Sequence, residues 1–205
     1  MPYPSQIDRE MIIETAARLL ESNGMEELSM GSLADALGVT PQSLYRYVDS
    51  KAELLKAVNS RTLERLFETL VSVLGDSPTE AEEQLLTVCQ AYRQFAVTHP
   101  HSYRLAMESV NGERPDRPYL NQLALPLQTV TAEIAGVAIT TPALQGIWAL
   151  VHGFVMLELG QQFNHRGDPD EVFIQCVSVY VTGWQGWAAW KEREKAGPLL
   201  LEREP

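Results

Sequence analysis

The sequence predicts an all-α protein of about nine helices arranged in two parts. Three observations predict it. Four Ser, Thr or Asp residues stand directly before a proline, at Thr40-Pro41, Ser77-Pro78, Thr141-Pro142 and Asp168-Pro169. The capping oxygen accepts an orphan backbone N–H, and proline in the first turn has no N–H to lose. Apolar residues also recur at helical spacing, as Ile12, Ala16, Leu19 and Leu20 do. Finally, no run of alternating residues competes as a strand; "GVAIT" (136–140) is β-branched but short and reads as a helix end.

In chain order, the first helix covers residues 8–23 and stops at Gly24. The second, 30–37, starts after Ser29 and stops at Gly38. The third, 41–47, opens on Thr40-Pro41. The fourth, 51–74, opens on Ser50 with the reciprocal Glu53 three residues on. Ser77 with Glu80 opens 78–97, and 101–110 follows. A polar loop, "NGERPDRP" (111–118), leads to 119–138 and then to 142–165. Asp168 with Glu171 opens the last helix, 169–194, and a charged tail closes the chain. Composition changes near residue 75, from short helices to longer and more apolar ones. The expected junction is therefore "LGDSPTE" (74–80), with one domain over 1–55, the 51–74 helix as link, a second domain over 76–195 and a tail over 196–205.

At 205 residues and 45% hydrophobic composition the chain can bury real cores. Its net charge of -11 argues against non-specific binding to nucleic acid or anionic membrane. Yet the window 38–65 holds five basic residues (Arg46, Lys51, Lys56, Arg61, Arg65) against three acidic ones. A solvated helix face of mixed charge is the plain reading of that window. Cys89 and Cys176 sit in apolar helical contexts and read as buried free thiols in a reducing compartment. Met1 to Arg9 lacks the basic start and apolar core of a secretory signal. "GIWALVHGFVMLELG" (146–160) is interrupted by His152 and Glu158 and is too short and polar to span a bilayer. A cytoplasmic protein without a membrane partner follows.

The stretch 30–51 carries the most specific chemistry. Leu33, Ala34 and Leu37 point inward, Gly38 permits a left-handed turn, Val39 plugs it, and Thr40 caps the next helix. That arrangement is a helix-turn-helix, whose second helix enters the major groove of DNA. The residues at its front are Thr40, Gln42 and Ser43, followed by Arg46; Leu44 points back to the core. Gln pairs bidentately with adenine and Arg with guanine. Tyr45, Tyr47 and Lys51 are long donors suited to phosphate oxygens, and Ser29 with the first N–H groups of the 30–37 helix suits another. For both tyrosines, packing within a tight domain is the alternative.

Gly24, Ser29, Leu33-Ala34, Gly38-Val39, Leu44-Tyr45, Tyr47-Val48, Ser50-Lys51 and Leu54-Leu55 together resemble the DNA-binding domain of the TetR family of bacterial transcriptional regulators. The resemblance covers the first 55 residues. It implies that Tyr45 and Lys51 contact phosphate and that Gln42, Ser43, Arg46 and Tyr47 face an operator. Three positions depart from the pattern: Tyr47 where histidine is common, Val48 where phenylalanine is common, and Gly31 where many members carry a basic residue.

Beyond residue 75, "HPHSYRLAM" (99–107) and "WALVHGFVMLEL" (148–159) resemble a ligand-domain subgroup with a Trp…His-Gly pattern. The resemblance implies a homodimer paired through the last two long helices. Gly146, Gly153 and Gly160 recur every seven positions on one helix face, and Trp184, Trp187 and Trp190 alternate with small residues. Both features suit an interface, or close packing within one chain. A pocket for a mostly apolar small-molecule effector is expected among Tyr92, Tyr103, Met107, Leu123, Leu127, Trp148, His152 and Met156, each of which also reads as plain core.

The expected function is a TetR-type repressor released from a palindromic operator by that effector. A DNA-binding dimer without an inducer, or an activator, remains the alternative. Four histidines (His99, His101, His152, His165) lack the spacing of a zinc pair, and no nucleophile or nucleotide signature appears. No cofactor, metal or catalytic activity is expected.

Overall fold

The computed structural model describes residues 7–75, 80–107, 118–163 and 167–196. The described residues form α1 (Arg9–Asn23), α2 (Met30–Leu37), α3 (Pro41–Leu44), α4 (Lys51–Gly75), α5 (Ala81–Thr98), α6 (Pro100–Met107), α7 (Pro118–Ala135), α8 (Thr140–Leu159) and α9 (Pro169–Ala196), with a 3-10 turn at Val137–Ile139. No strand occurs among them. The helix start at Ser77-Pro78, the loop over 111–117, His165 and the tail beyond 196 lie outside the described residues.

Local chemistry explains most boundaries, with four corrections. Asp8 caps α1 by accepting from the Met11 N–H at 2.7 Å. Gly24 and Gly38 end α1 and α2 at φ of 80° and 68°. Thr40 makes no cap bond; its hydroxyl pairs with the Ser43 hydroxyl at 3.0 Å instead. Ser50 caps the Glu53 N–H at 3.1 Å, but the Glu53 carboxylate returns to the Asp49 N–H, one residue earlier than expected. Asp168 accepts from the Asp170 N–H at 3.0 Å. Thr141 is no cap either: α8 begins at Thr140, whose hydroxyl reaches back to Gly136 and Val137 carbonyls. The third helix stops at Leu44, and 45–47 continue as a hydrogen-bonded turn.

The chain divides into two compact units that differ from the expected domains. The first joins residues 1–69 to 94–120, and the second joins 70–93 to 121–205. The bonds tying α6 to the N-terminal helices are long-range. Glu21 at the end of α1 accepts from the backbone N–H groups of His101 and Ser102, at 3.1 Å each. A carboxylate there satisfies two orphan donors and faces the positive end of the helix dipole. The Asn59 amide nitrogen donates to the Leu105 carbonyl at 3.2 Å. Leu105 itself joins a core built by Ile12, Leu20, Leu33, Leu44 and Leu54. On the outer side of α1, Glu14 accepts from Arg61 at 3.1 Å and from Arg65. Burial raises the Glu14 carboxyl, but both guanidinium hydrogen bonds outweigh it and hold its pKa below the usual range.

In the second unit α8 turns Ala143, Ile147, Val151, Phe154 and Val155 inward, and α9 turns Phe173, Val177 and Val181 inward. Arg93 on α5 is the polar centre of this unit. It makes a bidentate pair with Glu158 at 2.6 and 2.8 Å and a third bond to Asp170 at 2.7 Å, while lying over the Phe154 and Phe173 rings. Cys89 is buried, and desolvation pushes its thiol up to about 12; Cys176 is only partly buried, contrary to expectation. The run Val137–Leu159 spans 23 residues and holds an 18-residue window with a mean hydropathy of 1.3. By length and composition that is enough to cross a bilayer, which the shorter stretch 146–160 did not suggest.

Candidate nucleic-acid interface

The N-terminal unit presents one segment whose polar side chains face outward from a fixed apolar base. Its scaffold begins at Ser29, which accepts from the Ser32 N–H at 3.0 Å while Ser32 accepts from the Ser29 N–H at 2.9 Å. This reciprocal box sets the start of α2. Leu33 and Ala34 are buried under it. The left-handed Gly38 then lets the Val39 N–H return to the Ala34 carbonyl at 3.0 Å, which closes the turn. Pro41 opens α3, and Leu44 and Val48 anchor it from below, exposed by 0% and 1%.

Around that base Thr40, Gln42, Tyr45, Arg46 and Lys51 are exposed, and Ser43 is partly buried beside Thr40. Tyr47 is partly buried and packs against the apolar core. Its environment therefore matches the packing alternative, whereas Tyr45 is free to reach a ligand. Ser29 is exposed at the start of α2. Arg46 and Lys51 form no ion pair with any described residue. Arg61 and Arg65, counted in the same basic window, are instead tied to carboxylates: Arg61 to Glu10, Glu14 and Glu64, Arg65 to Glu14. The sequence could not reveal this, because Glu14 is 47 residues from Arg61. Glu53 is occupied by Arg9 at 3.2 Å and by the Asp49 N–H, bonds that lower its pKa. Two unneutralised cations beside amide and hydroxyl groups can bind phosphate and read base edges.

The expected effector residues are divided between the two units. Tyr103 and Met107 belong to the first unit, where Tyr103 is fully buried. Tyr92, Leu127, Trp148, His152 and Met156 belong to the second. There Tyr92 meets Trp148 edge-on, with ring centroids 5.2 Å apart. His152 is partly buried, and desolvation lowers its pKa. The side chain of Leu123 lies outside the described residues. A cleft of about 780 Å³ in the first unit is lined by none of these residues.

The glycine reading also changes. A Cβ at Gly146 would strike the Tyr180 hydroxyl, so this glycine serves the approach of α9 to α8 within one chain. Gly160 follows the last residue of α8 as its cap. Gly153 has open space beside it. Trp184 is partly buried, while Trp187 is 45% exposed and lines a groove with Val179 and Gly183 on the outer side of α9.

Comparison with known proteins agrees with this geometry. Residues 12–58 match a family model described as bacterial regulatory proteins of the tetR family, and residues 85–180 match one described as a tetracyclin repressor-like C-terminal domain. An uncharacterised HTH-type transcriptional regulator of Mycobacterium tuberculosis, Rv0681, is 29% identical over 186 residues, covering 89% of this chain and 84% of that protein. YobS of Bacillus subtilis, another uncharacterised HTH-type transcriptional regulator, is 24% identical over 86% of this chain and 92% of its own. Among solved structures, TetR from Acinetobacter baumannii shares the fold at a TM-score of 0.68 and 20% identity, covering 89% of this chain and 99% of its own.

Proposed function

This chain belongs to the TetR family of bacterial transcriptional regulators, and from that premise we propose that it is a dimeric repressor, released from a palindromic operator by a small, mostly apolar effector. It is a DNA-binding transcriptional regulator by family. The observation that carries the finer reading is the outward set of Gln42, Tyr45, Arg46 and Lys51 on the buried base of Leu44 and Val48. Gln42 and Arg46 read base edges, helped by Thr40 and Ser43. Tyr45, Lys51 and Ser29 hold phosphates, and Tyr47 shapes the turn from beneath.

Pairing of two copies supplies two reading heads. The outer side of α9 carries Val172, Val179, Gly183, Gly186, Trp187 and Trp190, and α8 adds exposed Leu157. That much apolar area needs a cover, and a second copy supplies the same surface by two-fold symmetry. The pairing also accounts for the apolar length of α8 without a membrane, in keeping with a cytoplasmic protein. The effector lodges in the second unit beside Tyr92, Trp148 and His152, and α4, which belongs to both units, carries the response. A coupling of about 1–3 kcal/mol suffices for switching. No catalysis, metal or cofactor enters this reading.

One observation favours a second reading, a DNA-binding dimer without an inducer: Tyr92 and Trp148 pack edge-on against each other where the effector is expected. The test is selection of an operator from random duplex DNA, followed by anisotropy titration across salt concentrations. A palindromic consensus bound by two chains, with steeply salt-dependent affinity, supports the proposal. Affinity indifferent to sequence and salt refutes it.

A further inference from the structure

The cleft in the first unit is independent of both surfaces used above. It lies against α1, the last residues of α2, the middle of α4, the end of α5 and the start of α6, and its volume is about 780 Å³. That size falls in the ordinary range of small-molecule pockets, roughly 300–1,000 Å³. Phe95 and Leu37 give it an apolar wall.

Its charges are unequal in their commitments. Two carboxylates and three guanidinium groups line it. Glu14 is held by Arg61 and Arg65. Glu21 is held by the His101 and Ser102 backbone N–H groups. Helical spacing puts both acids beside Arg18, at i-4 and i+3, yet each is engaged elsewhere. Arg18 keeps only a long contact, 3.5 Å, to the Thr15 hydroxyl and forms no ion pair with a described residue. Ser102, 7% exposed, also lines the cleft, and its hydroxyl has no hydrogen-bond partner among the described residues. An unanswered cation and an unpaired hydroxyl therefore border the same space as an aromatic wall. The guanidinium and the hydroxyl both donate, so together they suit an occupant with acceptor oxygens.

We propose that this cleft is a second small-molecule site, which takes an organic carboxylate with a flat apolar body. The carboxylate sits between Arg18 and the Ser102 hydroxyl, and the body lies along Phe95 and Leu37. A neutral analogue loses the charge-assisted bond, and a cationic one meets Arg18 with like charge. Leu37 is the last residue of α2, immediately before the Gly38 turn, so an occupant touches the support of the recognition segment.

The test uses the full chain, ¹⁵N-labelled, with 2-naphthoate as probe and 2-naphthalenemethanol as its neutral counterpart. We expect saturable amide shifts at Arg18, Leu37 and Ser102 with the carboxylate, and affinity weaker by about tenfold with the alcohol. Arg18→Gln, at an exposed position, should weaken naphthoate by about tenfold and leave the alcohol unchanged. Ser102→Ala should weaken naphthoate by a smaller factor. Shifts confined to residues 121–160, equal affinity for the two probes, or no saturable shift at the cleft up to about 10 mM would each overturn the proposal. The readout needs no DNA, so it stands or falls apart from the repressor reading.

Discussion

The Tyr180 hydroxyl on α9 donates to the Ala143 carbonyl on α8 at 2.8 Å, and its ring fills the space where Gly146 lacks a side chain. Gly146→Ala should therefore be destabilising even though alanine favours the helix by about 1 kcal/mol. The added methyl must displace Tyr180 and break its bond, costs of about 1–3 and 0.5–1.5 kcal/mol respectively. In a Tyr180→Ala background the sign should reverse, with alanine at 146 stabilising by about 1 kcal/mol. Urea unfolding of the four proteins of this cycle decides it; destabilisation in both backgrounds would falsify the packing account.

Arg93 and Glu158 are 12% and 18% exposed, whereas Asp170 is 72% exposed. Arg93→Met should cost about 3 kcal/mol, because Glu158 is left charged and mostly buried. Asp170→Asn should cost less than about 1 kcal/mol, as exposed pairs do. Equal losses from the two changes in thermal unfolding would show that burial does not govern this cluster.

Gln42→Ala and Arg46→Ala should each weaken the selected operator by about 1–3 kcal/mol and relax sequence preference at one position. Lys51→Ala should weaken all sequences alike and reduce the salt slope by about one. Anisotropy against operator and scrambled duplexes separates these behaviours. A Lys51 variant that loses preference but keeps its salt slope contradicts the assignment.

Val179→Glu and Trp187→Glu place charge on the outer side of α9. Sedimentation velocity should show a monomer with unchanged helical circular dichroism, and operator affinity should fall by about a hundredfold as avidity is lost. A variant that stays dimeric moves the interface elsewhere.

The Glu14 carboxyl carries a pH signature. Its pKa in the folded chain is below the ordinary value of 4.5, so the unfolded state binds the proton more readily. The stabilisation it contributes is full above 4.5 and fades as pH falls through the lowered folded value. The stability gap between the natural chain and Glu14→Gln should therefore be widest near neutrality and narrow with acid. A gap that is constant with pH, measured by denaturant titration, removes Glu14 from the acid response.

What the sequence determined by itself was local. Gly38, Pro41 and the apolar pair Leu44 and Val48 specify the turn and its buried base through contacts within a few residues, so the recognition segment was legible before any packing was known. The helices were legible for the same reason: caps and periodicity act over one or two turns. Tertiary structure alone decided which charges stay unanswered. Arg61 and Arg65 looked like Arg46 in the sequence, and only the α1–α4 pairing gives them Glu14. Packing alone also assigned Gly146 to Tyr180 of the same chain, moved residues 94–120 into the first unit, and left Arg18 and Ser102 facing a common cleft. Those outcomes depend on residues 34 to 84 positions apart meeting in space, and sequence periodicity carries no information at that range.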